Sequence, residues 1–206
     1  MLVAHTWEGR SEFVCDKARI LAGQGYVGFA LDLYGRGVVG SGPEENGRLM
    51  QPFLDDRVFL QARLRSAFDV VRLQDEVDNR NIAAIGYCFG GLCVLDLART
   101  CADVRGVVSF HGLLGKPGNT DGNAISAKVL ILHGNDDPMA QVDDVVAIEK
   151  ELTEAGADWQ LHAYGNTVHA FTNPNANDPG FGTVYNTLAD HRSWISLMNF
   201  LSEVLD

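Results

Sequence analysis

Hydrophobic and polar positions fall into two textures along the chain. Unbroken apolar runs at Leu2 to His5, Tyr26 to Leu33, Asn81 to Tyr87, Val104 to Phe110 and Lys128 to His133 are too short for helices. They carry the Val, Ile, Leu and Ala content of strands buried on both faces. The stretch 157–164 (ADWQLHAY) alternates instead, which predicts a strand at a sheet edge. Helical spacing appears between these runs. Val14, Ala18, Leu21 and Ala22 share one face of a helix from Ser11 to Gln24, and Leu60, Leu64, Ala67, Phe68 and Val71 form the stripe of one from Pro52 to about Gln74. Leu92 to Ala98 is an apolar helix-forming run, Val142, Val145, Ile148 and Leu152 line a helix from Gln141 to Ala155, and a last helix covers roughly 183–204. The glycine-rich segment from Tyr34 to Gly47 has no period and reads as loop. The connection 111–126 also lacks a helix and is too short to house a cap domain, so a site above it is expected to be open. Strands alternating with helices predict a mostly parallel sheet covered on both faces, a three-layer α/β sandwich. Ligands in such folds gather at the carboxyl ends of the strands.

Composition narrows the function classes. The 206 residues suit a single domain over 1–206, and a formal charge of -11 repels phosphate backbones and anionic membrane surfaces, so neither nucleic acid nor membrane is an expected partner. No run approaches a membrane span, and the start lacks the layout of a secretion signal. The cysteines at 15, 88, 93 and 101 form no C-x-x-C pair, which points to a reducing cytoplasm.

Chemistry concentrates at the end of the run 81–87. Gly86-Tyr87-Cys88-Phe89-Gly90 places one reactive side chain between glycines at minus two and plus two, followed at once by a helix. That is the nucleophile elbow G-x-S-x-G with cysteine for serine, and it aims the Phe89 N–H at the atom Cys88 attacks. Two other strand ends complete the set. His133-Gly134-Asn135-Asp136-Asp137 offers an acid, with the spacing H-G-x-x-D selecting Asp137 over Asp136, and the loop after 164 offers His169. The order Cys, Asp, His is that of α/β-hydrolases. Asp137 has an alternative role as a cap ahead of Pro138.

These segments resemble the dienelactone hydrolase family. The match runs through Gly25-Tyr26-Val27 with Asp32-Leu33-Tyr34-Gly35-Arg36-Gly37, the elbow Gly86 to Gly91, His169-Ala170-Phe171 and Arg192-Ser193-Trp194. The resemblance implies an α/β-hydrolase fold and a cofactor-free, metal-independent esterase or lactonase that works through a Cys88–His169–Asp137 triad and a thioacyl intermediate, as monomer or homodimer. It also implies that the second oxyanion N–H comes from Trp7. Two positions depart from family members that open dienelactone: a glutamate on the first oxyanion loop is Thr6 here, and an arginine four residues after the histidine is Asn173. The expected substrate is therefore a small neutral or aryl ester, with activated esters or phosphotriesters as the alternative. The family's leading strands are also missing ahead of Leu2, which is expected to leave the strand 26–33 with an open edge.

Pocket candidates besides these are Thr6, Glu8, Arg36, His111, Phe171 and Asn173. Three other readings compete. His5, His111, His133 and His169 all follow strands and could gather a metal with Cys88, although no short ligand spacing supports it. Cys88 could be a redox sensor, or the scaffold could bind ligand without catalysis. Cys15 and Cys93 fall on apolar helix faces and read as core, and Cys101 ends its helix at the surface.

Overall fold

The computed structural model describes residues 1–100 and 102–205; Cys101 lies outside the described residues. Strand β1 is Leu2–Ala4, α1 Glu12–Gly23, β2 Phe29–Ala30, α2 Pro43–Asp55, α3 Arg57–Arg72, β3 Ala83–Tyr87 and α4 Phe89–Arg99. The chain continues through β4 Gly106–Phe110, β5 Lys128–Gly134, α5 Val142–Glu154, β6 Trp159–Tyr164, a hairpin of β7 Asn177–Asp178 and β8 Thr183–Val184, and α6 Thr187–Leu205. Six strands form one parallel sheet in the order β2-β1-β3-β4-β5-β6.

The period of two sorts the apolar runs onto the two faces. Val3, Ile85, Val108 and Leu130 meet α1 and α6 through Val14, Leu21, Leu197 and Leu201. Leu2, Ala84, Val107 and Val129 face the other way, against Leu64 and Phe68 of α3, Leu92 of α4 and Ile148 of α5. Edge strand β6 carries half-buried and exposed positions as its pattern predicts, except that Leu161 and His162 in succession are both half-buried. The arrangement is a three-layer α/β-hydrolase sandwich. Among the described residues no helix is long and apolar enough to cross a membrane.

Four boundaries differ from the sequence reading. The strand predicted over 26–33 narrows to Phe29–Ala30, because it can pair only with the three-residue β1. The loop read from Tyr34 to Gly47 ends early: α2 starts at Pro43, whose missing N–H costs nothing at a first helical position, and Glu44 and Glu45 favour the positive end of the helix dipole. Pro52, read as a helix start, sits in the last turn of α2. The helix read as one piece breaks at Asp56, whose carboxylate accepts the Phe59 N–H at 2.8 Å and caps α3. The last helix begins at Thr187, after Asn186 Oδ1 takes the Leu188 and Ala189 N–H groups at 3.1 Å each. The residues 183–184 ahead of it pair with 177–178, in strands too short for any periodicity to reveal.

A buried ion cluster ties the helices of one face together. Arg99 and Asp96 of α4 are 1% and 0% exposed. Arg99 clasps Glu151 of α5 through Nε (2.8 Å) and Nη2 (2.7 Å), and Asp96 accepts Arg57 Nε of α3 at 2.7 Å. The carbonyls of Leu114 and Gly115 take further N–H groups of Arg99, which anchors the helix-free connection after β4.

Candidate active site

Cys88 follows β3 and precedes α4 with φ 57° and ψ -118°, a conformation costly for any residue with a side chain. The flanking glycines are what the turn requires. A Cβ on Gly86 would lie 1.9 Å from the Gly90 carbonyl oxygen, and one on Gly90 would lie 2.3 Å from that of Ala4 in the neighbouring strand. The strain lifts the thiol out of the sheet onto the floor of a cavity.

His169 and Asp137 reach the same point from the loops after β6 and β5. Asp137 Oδ2 is 2.7 Å from His169 Nδ1, so that nitrogen carries the proton and Nε2 is turned from the acid. Asp137 Oδ1 also accepts the Met139 N–H at 2.8 Å within a turn, but the capping role is corrected, because no helix starts at Pro138 and α5 begins at Val142 with Gln141 as its cap; Asp136 is exposed. The hairpin holds the histidine loop. His169 N–H donates to Gly182 O (3.0 Å) and its carbonyl accepts Val184 N–H (3.2 Å). Nε2 is buried without a conventional hydrogen-bond partner, and Cys88 is the charged group that acts on it most.

The electrostatics of the two groups agree. Burial alone would raise the Cys88 thiol, but the His169 charge, with N–H groups of Phe89 and Trp7 directed at the sulfur, overcomes it and leaves the pKa lowered. Burial alone would lower His169. The Cys88 thiolate, followed by Asp137, reverses that and pushes it up to about 10. Both shifts have one source, in which the charged form of each group favours the charged form of the other, a thiolate and an imidazolium. His111, 1% exposed and at φ 37°, packs edge-on against His169 with ring centroids 5.1 Å apart. Its own pKa is driven well down, first by burial and then by the His169 charge, so it is neutral.

The loop after β1 carries Trp7 and is fastened to the segment after β2. His5 bridges Thr6 O (2.6 Å) and the Leu33 N–H (3.2 Å), Tyr34 O–H donates to Trp7 O at 2.8 Å, and Gly40 N–H donates to Glu8 O at 2.8 Å. Burial drives the His5 pKa down to about 4, against the raising pull of the Thr6 carbonyl, so its ring is neutral.

The cavity above Cys88 holds about 530 Å³. Of the sequence-derived candidates Thr6, Trp7, Glu8, His111 and Asn173 line it with Cys88 and His169. Two candidates are corrected. Arg36 is exposed on its loop and lines no part of the cavity, because φ 57° between Gly35 and Gly37 turns it outward. Phe171 is fully buried beneath the site, edge-on to His111 at 5.0 Å and packed with the core of the α1/α6 face. The sequence reading missed the cavity's side walls: Asn46 and Met50 from α2, and Phe181 from the hairpin, which stacks on Trp7 at 5.7 Å. The helical spacing of Asn46, Met50 and Phe53 was the available signal for the first wall; nothing in the pattern marked the second. Among the described lining residues Glu8 and Asp178 are acidic and none is Lys or Arg. No group of three or more His, Cys, Asp and Glu among the described residues is placed to hold a metal ion.

Sheet order, elbow and loop placement define an α/β-hydrolase. The model of the dienelactone hydrolase family matches residues 1–205, and the chain belongs to that family. It is 27% identical to a putative carboxymethylenebutenolidase of Aquifex aeolicus, over 100% of this chain and 88% of the relative. A dienelactone hydrolase-like promiscuous phosphotriesterase from metagenomic libraries superposes with a TM-score of 0.92 at 35% identity, covering 100% of this chain and 86% of the other. A putative dienelactone hydrolase of Klebsiella pneumoniae, at 20% identity and TM-score 0.73 over 98% and 85% of the two chains, shares the fold. The protein is a hydrolase acting on ester bonds.

Proposed function

We propose that the protein hydrolyses small neutral carboxylic esters, aryl esters above all, through Cys88, His169 and Asp137. The observation that carries this reading is the paired displacement at the elbow, Cys88 lowered and His169 pushed up to about 10, with Asp137 on the far ring nitrogen at 2.7 Å. The Cys88 thiolate attacks the acyl carbon and the carbonyl electrons move onto oxygen, where the N–H groups of Trp7 and Phe89 stabilise the charge. Collapse breaks the bond to the alcohol oxygen, which takes a proton from His169 as needed, and leaves a thioester on Cys88. Thioester formation removes the thiolate, the largest influence raising His169, so its pKa falls and the neutral imidazole becomes the base for water. Water then attacks the thioester and the acid departs. An activated thiol works best in a reducing compartment such as the cytoplasm.

A neutral substrate is favoured by a cavity whose described lining residues include two carboxylates and no Lys or Arg, the His169 charge being matched by the Cys88 thiolate. A second reading has its own support: the neighbour at 35% identity is described as a promiscuous phosphotriesterase, and a neutral phosphotriester develops an oxyanion that the same two N–H donors can hold. The test is mass spectrometry after reaction with a para-nitrophenyl ester or iodoacetamide. The adduct is expected on Cys88 ahead of Cys15 and Cys93; equal labelling of the thiols would remove the claim of an activated nucleophile.

A further inference from the structure

Several contacts fasten the loop after β1, and two land on the peptide that carries the Trp7 N–H: the Gly9 N–H, 3.2 Å from Thr6 O across a turn within the loop, and the shorter contact from the His5 ring. That peptide group has its carbonyl on Thr6, and in a planar trans amide the C=O and N–H point opposite ways, so fixing one fixes the other. His5 Nδ1 lies 2.6 Å from Thr6 O. A carbonyl only accepts, so Nδ1 carries the proton. The Leu33 N–H, 3.2 Å from Nε2, only donates, so Nε2 carries the lone pair. Two backbone groups therefore dictate one neutral tautomer.

We propose that His5 is the positioning residue of the Trp7 half of the oxyanion hole: its imidazole N–H holds the Thr6 carbonyl, aims the Trp7 N–H at the reacting carbon's oxygen and, by polarising the amide, strengthens it as a donor. The inference rests on Cys88 as the nucleophile and on the Trp7 N–H as a donor at its sulfur. His5 is 0% exposed and does not line the cavity, so it acts on substrate only through this peptide. Its ring is fixed from the side by Tyr34 at 4.7 Å, edge-on, and by Phe89 at 6.2 Å. The ring thus spans the two donors, packing near the side chain of Phe89 and bonding the Thr6 carbonyl of the peptide whose N–H belongs to Trp7. Of the other contacts, Tyr34 O–H binds the carbonyl of Trp7 itself and Gly40 N–H that of Glu8, while the Gly9 N–H shares Thr6 O at 3.2 Å from within the same loop and ties it to no other element. A histidine at this place does what no other residue does alone, since it donates to the oxyanion loop and accepts from the segment after β2.

Three substitutions separate this role from packing. His5→Asn keeps a donor at the place of Nδ1, His5→Gln keeps an acceptor near Nε2 without that donor, and His5→Phe keeps only the ring. Each is assayed with para-nitrophenyl acetate for kcat and KM, with iodoacetamide for alkylation of Cys88, and with an aldehyde that Cys88 adds to, forming a C–S bond while the carbonyl oxygen becomes the hemithioacetal oxyanion or hydroxyl. Loss of a whole oxyanion donor costs about 100- to 1,000-fold, so a misaimed donor is expected to cost about 10- to 100-fold in kcat for the Gln and Phe variants. KM and the alkylation rate, which needs no oxyanion, are expected to stay within about threefold, and aldehyde affinity to fall in step with kcat/KM. His5→Asn is expected to recover to within about fivefold of the parent.

Equal losses in the Asn and Gln variants, or aldehyde affinity unchanged while kcat falls, would overturn the inference. So would alkylation falling as far as kcat, which would mean a general loss of the site. If His5→Phe fails to fold, the contrast between Asn and Gln still decides. Failure of the parent protein to label at Cys88 is a different result: it overturns the nucleophile assignment, and the inference with it.

Discussion

Two buried polar centres stand towards opposite ends of α4, and they are built on opposite rules. The ion cluster of Arg57, Asp96, Arg99 and Glu151 joins two positive and two negative groups, and the carboxylates and guanidinium of Asp96, Glu151 and Arg99 all find partners. Its members sit on regular helices. The centre at Cys88 is left open: His169 Nε2 has no partner but the Cys88 sulfur, His111 Nδ1 is buried without one, and Cys88, His111 and Ala170 hold positive φ. A polar centre that is complete can only hold shape. One that is incomplete keeps donors, acceptors and strain for a ligand to engage. The difference teaches where to look for chemistry, because burial and charge alone do not distinguish the two.

The largest expected effect falls on the open centre and leaves the fold alone. Cys88→Ala removes the nucleophile, and hydrolysis of a para-nitrophenyl ester is expected to drop by about four to six powers of ten. The alanine keeps the backbone strain and loses only a thiol, so unfolding free energy should move by less than about 1 kcal/mol. A variant both inactive and severely unstable would show that the two centres are not separable in this way.

Arg99→Ala should do the reverse. It leaves Asp96 and Glu151 buried, with Glu151 stripped of its partner, and breaking a buried ionic group in this way costs about 3 to 5 kcal/mol. Urea unfolding measures it, and kcat per folded molecule should stay within about twofold. A loss of kcat comparable to that of Cys88→Ala would make the ion cluster part of the catalytic machinery.

The open centre should also respond to pH where the closed one does not. Because Cys88 is lowered and His169 is pushed up to about 10, the thiolate–imidazolium pair forms as pH rises through the depressed thiol pKa and is lost as pH rises through about 10. The profile of kcat/KM, which reports the free enzyme, is expected to rise below the range of an ordinary thiol and fall near pH 10. A rise only around pH 8 to 9 would mean an unperturbed thiol and no ion pair.

The meeting of Cys88, His169 and Asp137 at one point was legible in the sequence because their placement rests on short local rules. The glycines at 86 and 90 stand where a Cβ would strike backbone, and that is why the motif has fixed spacing. The spacing of Asp137 after His133 likewise follows one strand end. The parallel sheet was readable from apolar runs that must be buried on both faces. What could not be read is what depends on distant partners. Asp96 lies unmarked inside the apolar run Leu92 to Ala98 and Arg99 just beyond it, since Arg57 and Glu151 meet them only when three helices pack. The hairpin that grips His169 consists of two-residue strands with no periodicity, and α2 was hidden by the glycines before and within it. Arg36 and Phe171 were misplaced for a related reason. Position in a motif says which loop a residue is on, whereas backbone φ and packing decide which way it turns.

The smallest effect concerns substrate choice, and it sharpens the comparison by asking what charge the open centre lacks. The ion cluster supplies each buried carboxylate with a guanidinium, but the cavity offers a substrate carboxylate nothing comparable, since Asn173 stands among lining residues that include Glu8 and Asp178. A charge-assisted hydrogen bond contributes about 1.5 to 3 kcal/mol, so a neutral aryl ester is expected to exceed dienelactone by about one to two powers of ten in kcat/KM. Asn173→Arg should narrow that gap by roughly tenfold rather than close it, because Asp178 and Glu8 compete for the new guanidinium and the rim is partly solvated. The gain should shrink as salt is raised, whereas hydrolysis of the neutral ester should hardly respond. A parent protein that already prefers dienelactone would show that the anion finds its partner elsewhere, and the exposed Arg10 and Arg36 would then be the residues to remove next.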